Sequence, residues 1–181
     1  SLPRDISLFT IGEDIYASAT PSEEVSSLRT STAEIETFLV DNAASKDVAV
    51  GGYDAYEVSF TLKPQFEGKT KVTLCNACGE KFSLEFDTEN MTVLADRSES
   101  GKMTRIKSFV LMPAAPLGLC NSSDGYDVDV FVDKCSVEVF VDGGRIAMTN
   151  LVFPSESFDN IVFESTGESE ISNMFIHKIG K

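Results

Sequence analysis

The sequence predicts an all-β fold, a two-sheet antiparallel β-sandwich of about a dozen strands, and three observations predict it. Short segments that alternate apolar and polar residues recur from end to end, each closed by turn residues. Helical periodicity is weak throughout. So many strands in one chain of 181 residues must close into a barrel or stack as two sheets, since an open sheet would leave apolar faces and long edges exposed. No repeat of propeller or solenoid period is visible.

Taken in order, strands are expected near 6–11, 14–19, 24–28 and 34–40. Tyr56 to Leu62 alternates cleanly before Pro64. Lys71-Val72-Thr73-Leu74 joins Phe82-Ser83-Leu84-Glu85-Phe86 through a turn at Asn76-Ala77-Cys78-Gly79, and further strands are expected at 91–95 and 105–111. From Tyr126 to Asp133 the valines at 128, 130 and 132 fall on one face and Asp127, Asp129 and Asp133 on the other, as in a half-buried strand. Ser136 to Val141 repeats the pattern, and Asp142-Gly143-Gly144 supplies positive-φ residues for a tight hairpin before Arg145 to Thr149 returns as the third strand of a meander. The last strands are expected at 160–164 and 171–177.

A chain of this size, with 42% hydrophobic and 24% charged residues and no Pro/Gly/Ser-rich linker, is expected to form one domain over 1–181. Its formal charge of −14 repels phosphate backbones and anionic lipid, and its basic residues are dispersed, so nucleic acid is excluded as a partner. No apolar run approaches the ~20 residues of a membrane-spanning helix. The start, Ser1-Leu2-Pro3-Arg4, carries no initiator Met and no signal-peptide pattern, and reads as a cut inside a longer polypeptide.

Four cysteines, Cys75, Cys78, Cys120 and Cys135, are too few for a disulfide framework and leave the compartment and their redox state open. Cys75-x-x-Cys78-Gly79 could point two thiolates at zinc, but Cys120, Cys135 and the lone His177 supply no convincing second half. Asn121, Asp124, Asp127, Asp129 and Asp133 invite a calcium reading, yet the spacing puts Cys120 where an EF-hand needs its first Asp. Gly68-Lys69-Thr70 lacks the first glycine of a phosphate loop, because Lys63 stands there. A Ser-His-Asp site would have to use His177, and no Gly-x-Ser-x-Gly elbow exists. No metal, no cofactor and no catalytic residue is therefore assigned. Trp is absent and Tyr16, Tyr53, Tyr56 and Tyr126 are the only tyrosines, which weakens a sugar-stacking platform and leaves substrate-binding residues unknown. The glycosylation-type triplets Asn90-Met91-Thr92 and Asn121-Ser122-Ser123 carry little weight.

Several ordered segments resemble the C-terminal β-sandwich module of the family 32 glycoside hydrolases, the fructan-cleaving invertases, inulinases and levanases. Ser1-Leu2-Pro3-Arg4-Asp5 is similar to the Leu-Pro-Arg-Glu-Leu segment that leads into that module, and Pro21 to Leu28-Arg29 to its Pro-x-x-Glu-Leu-x-x-Leu-Arg. Asp96-Arg97-Ser98-Glu99-Ser100-Gly101 resembles Asp-Arg-(Ser/Thr)-x-Ser-Gly, and Val132 to Phe140 resembles Val-Asp-x-Ser-Ser-Val-Glu-Val-Phe. Asp142-Gly143-Gly144-Arg145, Met148-Thr149 and Phe153-Pro154 complete the run. Asp5 replaces Glu, Val25 replaces Leu and Cys135 replaces Ser.

The resemblance implies that the catalytic apparatus lies elsewhere, in an N-terminal five-bladed propeller carrying an Asp nucleophile in Trp-Met-Asn-Asp-Pro, an Asp in Arg-Asp-Pro and a Glu acid/base in Glu-Cys. None of these strings occurs here. A retaining glycosidase needs two carboxyls about 5–5.5 Å apart, so no hydrolysis is expected of this chain alone. It is expected to be an accessory module, one sandwich face of which packs on and stabilises that propeller, with extension of a substrate groove or a homodimer contact as further roles. The alternatives are a weak fructan-binding module and a freestanding lectin-like domain. The family implies a secreted or periplasmic parent, while the choice among levan, inulin and sucrose would rest in the propeller.

Overall fold

The computed structural model describes residues 1–102, 108–109, 111–120 and 123–180. Among the described residues fifteen strands are formed: β1 (Arg4–Ile11), β2 (Asp14–Pro21), β3 (Arg29–Ile35), β4 (Phe38–Val40), β5 (Lys46–Ala49), β6 (Tyr56–Pro64), β7 (Lys69–Cys75), β8 (Lys81–Asp87), β9 (Thr92–Glu99), β10 (Ala114–Pro116), β11 (Tyr126–Asp133), β12 (Ser136–Val141), β13 (Ile146–Leu151), β14 (Asn160–Ser165) and β15 (Ser169–Ile179). One sheet has seven strands in the order β13-β12-β11-β6-β15-β3, with β4 also on β15; a second has six in the order β10-β9-β8-β7-β14-β5. All the strand pairs are antiparallel. The sandwich expected from alternation is thus present, and β1 and β2 stand apart as a two-stranded sheet of their own.

The core lies between the two large sheets, where alternate residues turn inward. Val58, Phe60 and Leu62 of β6, Val128, Val130 and Val132 of β11, and Val137, Val139 and Val141 of β12 face Val72 and Leu74 of β7, Phe82, Leu84 and Phe86 of β8, and Ile161 and Phe163 of β14. Phe163 meets Phe38 and Phe60 edge-on, with ring centroids 5.3 and 5.5 Å apart. The β12–β13 turn takes the positive φ that its sequence predicts, at 48° for Asp142, 61° for Gly143 and 76° for Gly144.

Three expectations change. Residues 24–28 form a 3₁₀ turn (Glu23–Leu28) rather than a strand, with only Val25 buried. The Ser26 and Ser27 hydroxyls bond back to the Glu23 and Glu24 carbonyls, a local alternative to ladder pairing. The strand expected over 34–40 is split between β3 and β4, because β15 carries an irregularity between Ser172 and Phe175, with Asn173 at φ 49°, where one continuous partner would lose register. The short β5 and β10 were not anticipated. The strand expected at 105–111 falls mainly on residues outside those described. No helix among the described residues is long and apolar enough to cross a membrane.

Candidate functional site

The chain's first 29 residues attach to the outer face of the seven-stranded sheet through a small apolar cluster and two buried ion pairs. Val25 of the 3₁₀ turn packs on Phe131 and Phe140, joined by Leu2, Ala147 and Ile179. Beside this cluster Glu138, 3% exposed, accepts hydrogen bonds from the Leu2 N–H at 2.8 Å and from Arg4 Nη2 at 2.5 Å. The Arg4 guanidinium also lies 4.9 Å from the centroid of the Phe140 ring and donates to the Thr149 hydroxyl. Burial alone would raise the Glu138 carboxyl; the Arg4 and Leu2 hydrogen bonds and the Arg4 charge outweigh it and hold the pKa below the ordinary value.

From this latch the β1–β2 hairpin projects along the sheet. The Ser22 N–H donates to the Pro3 carbonyl, and the Ala19 N–H donates to the Gly144 carbonyl at 2.9 Å. Gly144 permits that approach, since a Cβ there would collide with the carbonyl of Ala19. Arg145 lies over the Phe9 ring, 4.7 Å from its centroid, and Phe9 stacks on Tyr16 at 5.6 Å. No described residue covers the opposite side of the hairpin. Ile6 pairs with Ala19, Leu8 with Ala17 and Thr10 with Ile15, which sets Ile6, Leu8 and Ile15 on one face at 68, 73 and 69% exposure.

A second polar group ties the 3₁₀ turn to the sheet. Arg29 grips Glu57 bidentately, Nε to Oε2 at 2.7 Å and Nη2 to Oε1 at 2.6 Å, and Glu57 is 1% exposed. Asp129 stands on the next strand, its pKa pushed up to about 6 by burial and then by the Glu57 charge, with Arg29 opposing. His177 of β15 is buried against Phe175 with Nδ1 2.8 Å from the Thr32 hydroxyl; burial, then Arg29, lowers its pKa. Its side-chain partner is thus a threonine on β3 rather than a serine and an aspartate.

The other residues singled out in the sequence are dispersed. Asp127, Asp129 and Asp133 lie along one strand, the first two ~7 Å apart and Asp133 a further ~13 Å on, and Asp127 accepts from Thr61; Asn121 lies outside the described residues. The Cys75–Cys78 turn is organised by Asn76, whose Oδ1 accepts from the N–H groups of Cys78 and Glu80. Cys75, Cys78, Cys120 and Cys135 are free thiols, and burial raises Cys75 and pushes Cys120 up to about 12. No three His, Cys, Asp or Glu side chains among the described residues converge as a metal site. Tyr56 and Tyr126 are core residues, while Tyr16 and Tyr53 are half-buried, so none of the four presents an open ring. Arg29, Glu57, Arg4 and Glu138 were the groups missed as a site; a glutamate at an interior position of an apolar strand was their one local signal.

The chain matches the family described as Glycosyl hydrolases family 32 C terminal over residues 24–178, starting just past the hairpin. It is 25% identical over 185 residues to a levanase of Bacillus subtilis, with 100% of this chain and 27% of that protein covered. An extracellular exo-inulinase of Aspergillus awamori is 25% identical over 171 residues, covering 92% of this chain and 32% of that one. The crystal structure of exo-inulinase from Aspergillus awamori superposes with a TM-score of 0.78 at 25% identity, over 100% of this chain and 36% of that chain. The chain therefore spans less than a third of the length of the curated relatives compared, and its structural likeness includes the hairpin.

Proposed function

The chain belongs to the family 32 glycosyl hydrolase C-terminal family, and from that membership we propose that it is the non-catalytic C-terminal module of a longer, secreted, fructan-cleaving hydrolase of the levanase or inulinase kind. In this reading residues 1–181 act as one module. It docks on an upstream catalytic unit, the five-bladed propeller that the sequence resemblance implies, and stabilises it.

The observation that carries the proposal is the uncovered row of Ile6, Leu8 and Ile15 on a hairpin that belongs to neither large sheet. A two-stranded sheet has no core of its own, and each of these side chains gains about 2 kcal/mol if a partner removes it from water. The other side of the hairpin is fixed to the sandwich through Gly144, Arg145 and the Arg4–Glu138 latch. A partner seated on the row would consequently be held in one orientation relative to the sandwich. Support for a non-catalytic role comes from the carboxylates themselves. Glu57 and Glu138 are locked onto arginines, whereas glycoside cleavage needs one carboxyl free to donate a proton and another free to attack.

The test measures fructose release from levan, inulin and sucrose for the chain, for the upstream unit, and for the two mixed. The chain alone should release none, and adding it should raise the Tm of the upstream unit. Fructose release by the chain alone, or no effect of the chain on the upstream unit's Tm, would overturn the proposal.

A further inference from the structure

The two large sheets end in four edge strands, and three of these are blunted. β10 has three residues and closes on Pro116, and β5 has four and opens on Lys46. β13 has the hairpin beside it, and Arg97 Nη1 donates to its Leu151 carbonyl at 3.4 Å. β3 is different. It runs for seven residues with neither Pro nor Lys, Thr30 to Glu34 are all exposed, and no described strand lies beyond it.

The backbone of β3 aims bonding groups at that open side. The Ile179 N–H of β15 donates to the Ala55 carbonyl, toward β6, and the Gly180 N–H donates to the Leu28 carbonyl, toward β3. Backbone groups alternate in direction along a strand, so His177 and Phe175 also aim at β6. Their partners on β3, Thr32 and Glu34, therefore turn their own N–H and C=O groups outward. The side chains add a charge pattern. The Thr32 hydroxyl meets His177 Nδ1 and Arg29 grips Glu57, which places both on the outer face of the sheet. Glu34, two residues from Thr32, shares that face. Arg29 joins it because β3 inserts one extra residue, Thr30, opposite the step from Lys178 to Ile179. One face of the edge thus carries a cation at one end, an anion at the other and Thr32 between them.

A strand with that pattern is complementary to itself. Turned about a two-fold axis at Thr32, it sets Glu34 of each copy beside Thr30 and Arg29 of the other, and Arg29 Nη1 has no acceptor among the described residues. Thr32 exchanges both backbone bonds with the second copy's Thr32 and Glu34 does so with Thr30, about six bonds in all. We propose that β3 is a homodimer edge, pairing antiparallel with β3 of a second copy so that the two seven-stranded sheets become continuous. Each copy spends its one open edge, so the assembly closes at two. The hairpin sits at the β13 end of the sheet, five strand spacings or ~24 Å from β3. Pairing through β3 consequently leaves both docking rows free, and two upstream units could be carried by one dimer. The inference stands whether or not the parent cleaves fructans.

The experiment follows the chain by sedimentation and by amide hydrogen exchange as its concentration rises, in about 0.15 M salt, where repulsion between the acidic copies is screened beyond about 8 Å. One strand pair buries less than the ~1,200 Å² of a stable complex, so the chain should be monomeric near ~5 µM and dimeric near ~500 µM. Exchange at Thr32 and Glu34 should slow at least roughly tenfold over that range, while exchange at the hairpin does not change. Glu34→Lys, which sets Lys against Arg29, should weaken the dimer at least roughly tenfold with its Tm unchanged. Thr32→Pro, which removes the central donor from both copies, should abolish the dimer. A chain that stays monomeric throughout overturns the proposal, as does a dimer in which Thr32 and Glu34 exchange no more slowly. A dimer that survives Glu34→Lys unweakened, or one that is lost when Ile6, Leu8 and Ile15 are changed to Ser, overturns it too. The last result would place the contact on the hairpin and count against the docking row as well, whereas the others leave the proposed accessory role untouched.

Discussion

The β1–β2 hairpin and the β11–β12–β13 meander carry the same alternating pattern and fold into the same antiparallel geometry, yet their apolar residues meet opposite fates. Val128, Val130, Val137, Val139 and Val141 are no more than 2% exposed, whereas Ile6, Leu8 and Ile15 are at least 68% exposed. Alternation specifies that a strand has two unlike faces; it does not specify what covers the apolar one. In the meander the six-stranded sheet covers it. In the hairpin no described residue does, and on the reading proposed above the difference marks the face left for the upstream unit.

The contrast is broken most severely from the core side. Phe163→Ala removes a ring that two other phenyl groups meet edge-on, and should cost about 3–5 kcal/mol, read as the shift of the urea midpoint at constant slope. Next comes the latch. Glu138→Ala leaves Arg4 without its carboxylate; loss of one member of a buried pair costs ~3–5 kcal/mol, and Arg4 is 21% exposed, so about 2–3 kcal/mol is expected. Hydrogen exchange should show the loss concentrated in β1 and β2. Because the folded Glu138 carboxyl is depressed, its contribution is complete above the ordinary glutamate pKa and disappears as pH falls through the lower folded value. Acid should therefore loosen the hairpin, and the Glu138→Ala chain should show no such step. Gly144→Ala attacks the same junction by sterics, with positive φ and the Ala19 carbonyl in the way, at about 2 kcal/mol.

How much of this was legible follows from the range of the interactions. The meander and its Asp142-Gly143-Gly144 turn could be read because alternation and positive φ are local properties. The 3₁₀ turn at Glu23–Leu28 could not, since a run of five residues is too short to separate a strand from a tight turn, and the bonds from Ser26 and Ser27 to the Glu23 and Glu24 carbonyls decide it. The split of β3 from β4 is dictated by an irregularity in β15, over a hundred residues later in the chain. The candidate site was less legible still. Glu138 and Glu57 read as solvent-facing members of alternating strands, and only folding brings Arg4, 134 residues away, onto Glu138 and Arg29 onto Glu57. The family motifs held residues of both groups, Arg4, Arg29 and Glu138 among them, without revealing that they pair.

The seam between the two regions predicts a smaller effect of opposite sign. Asp129 has its pKa raised from 3.8 to about 6, first by burial and then by Glu57. The folded state therefore binds the proton more tightly than the unfolded state does, and stability falls as pH rises from about 4 to about 6. Asp129→Asn removes that penalty and should stabilise the chain above pH 6 by about 1–2 kcal/mol, with no gain near pH 4. Thermal melts at the two pH values check it, and an equal gain at both would show that the charge is not the cause.

The weakest effect on the chain itself is expected at the surface proposed to dock on the upstream unit. Ile6→Ser, Leu8→Ser and Ile15→Ser each alter a side chain already in water, so each should shift stability by no more than about 0.5 kcal/mol. Combined, they should leave the melting curve of the chain nearly unchanged while abolishing its stabilisation of the upstream unit. A large loss of stability in the chain alone would mean that the row packs within the hairpin and is no docking face. Silence in isolation joined to failure in the assembly is the behaviour that separates an interface residue from a core residue, because burial, and with it the free energy, arrives only with the partner.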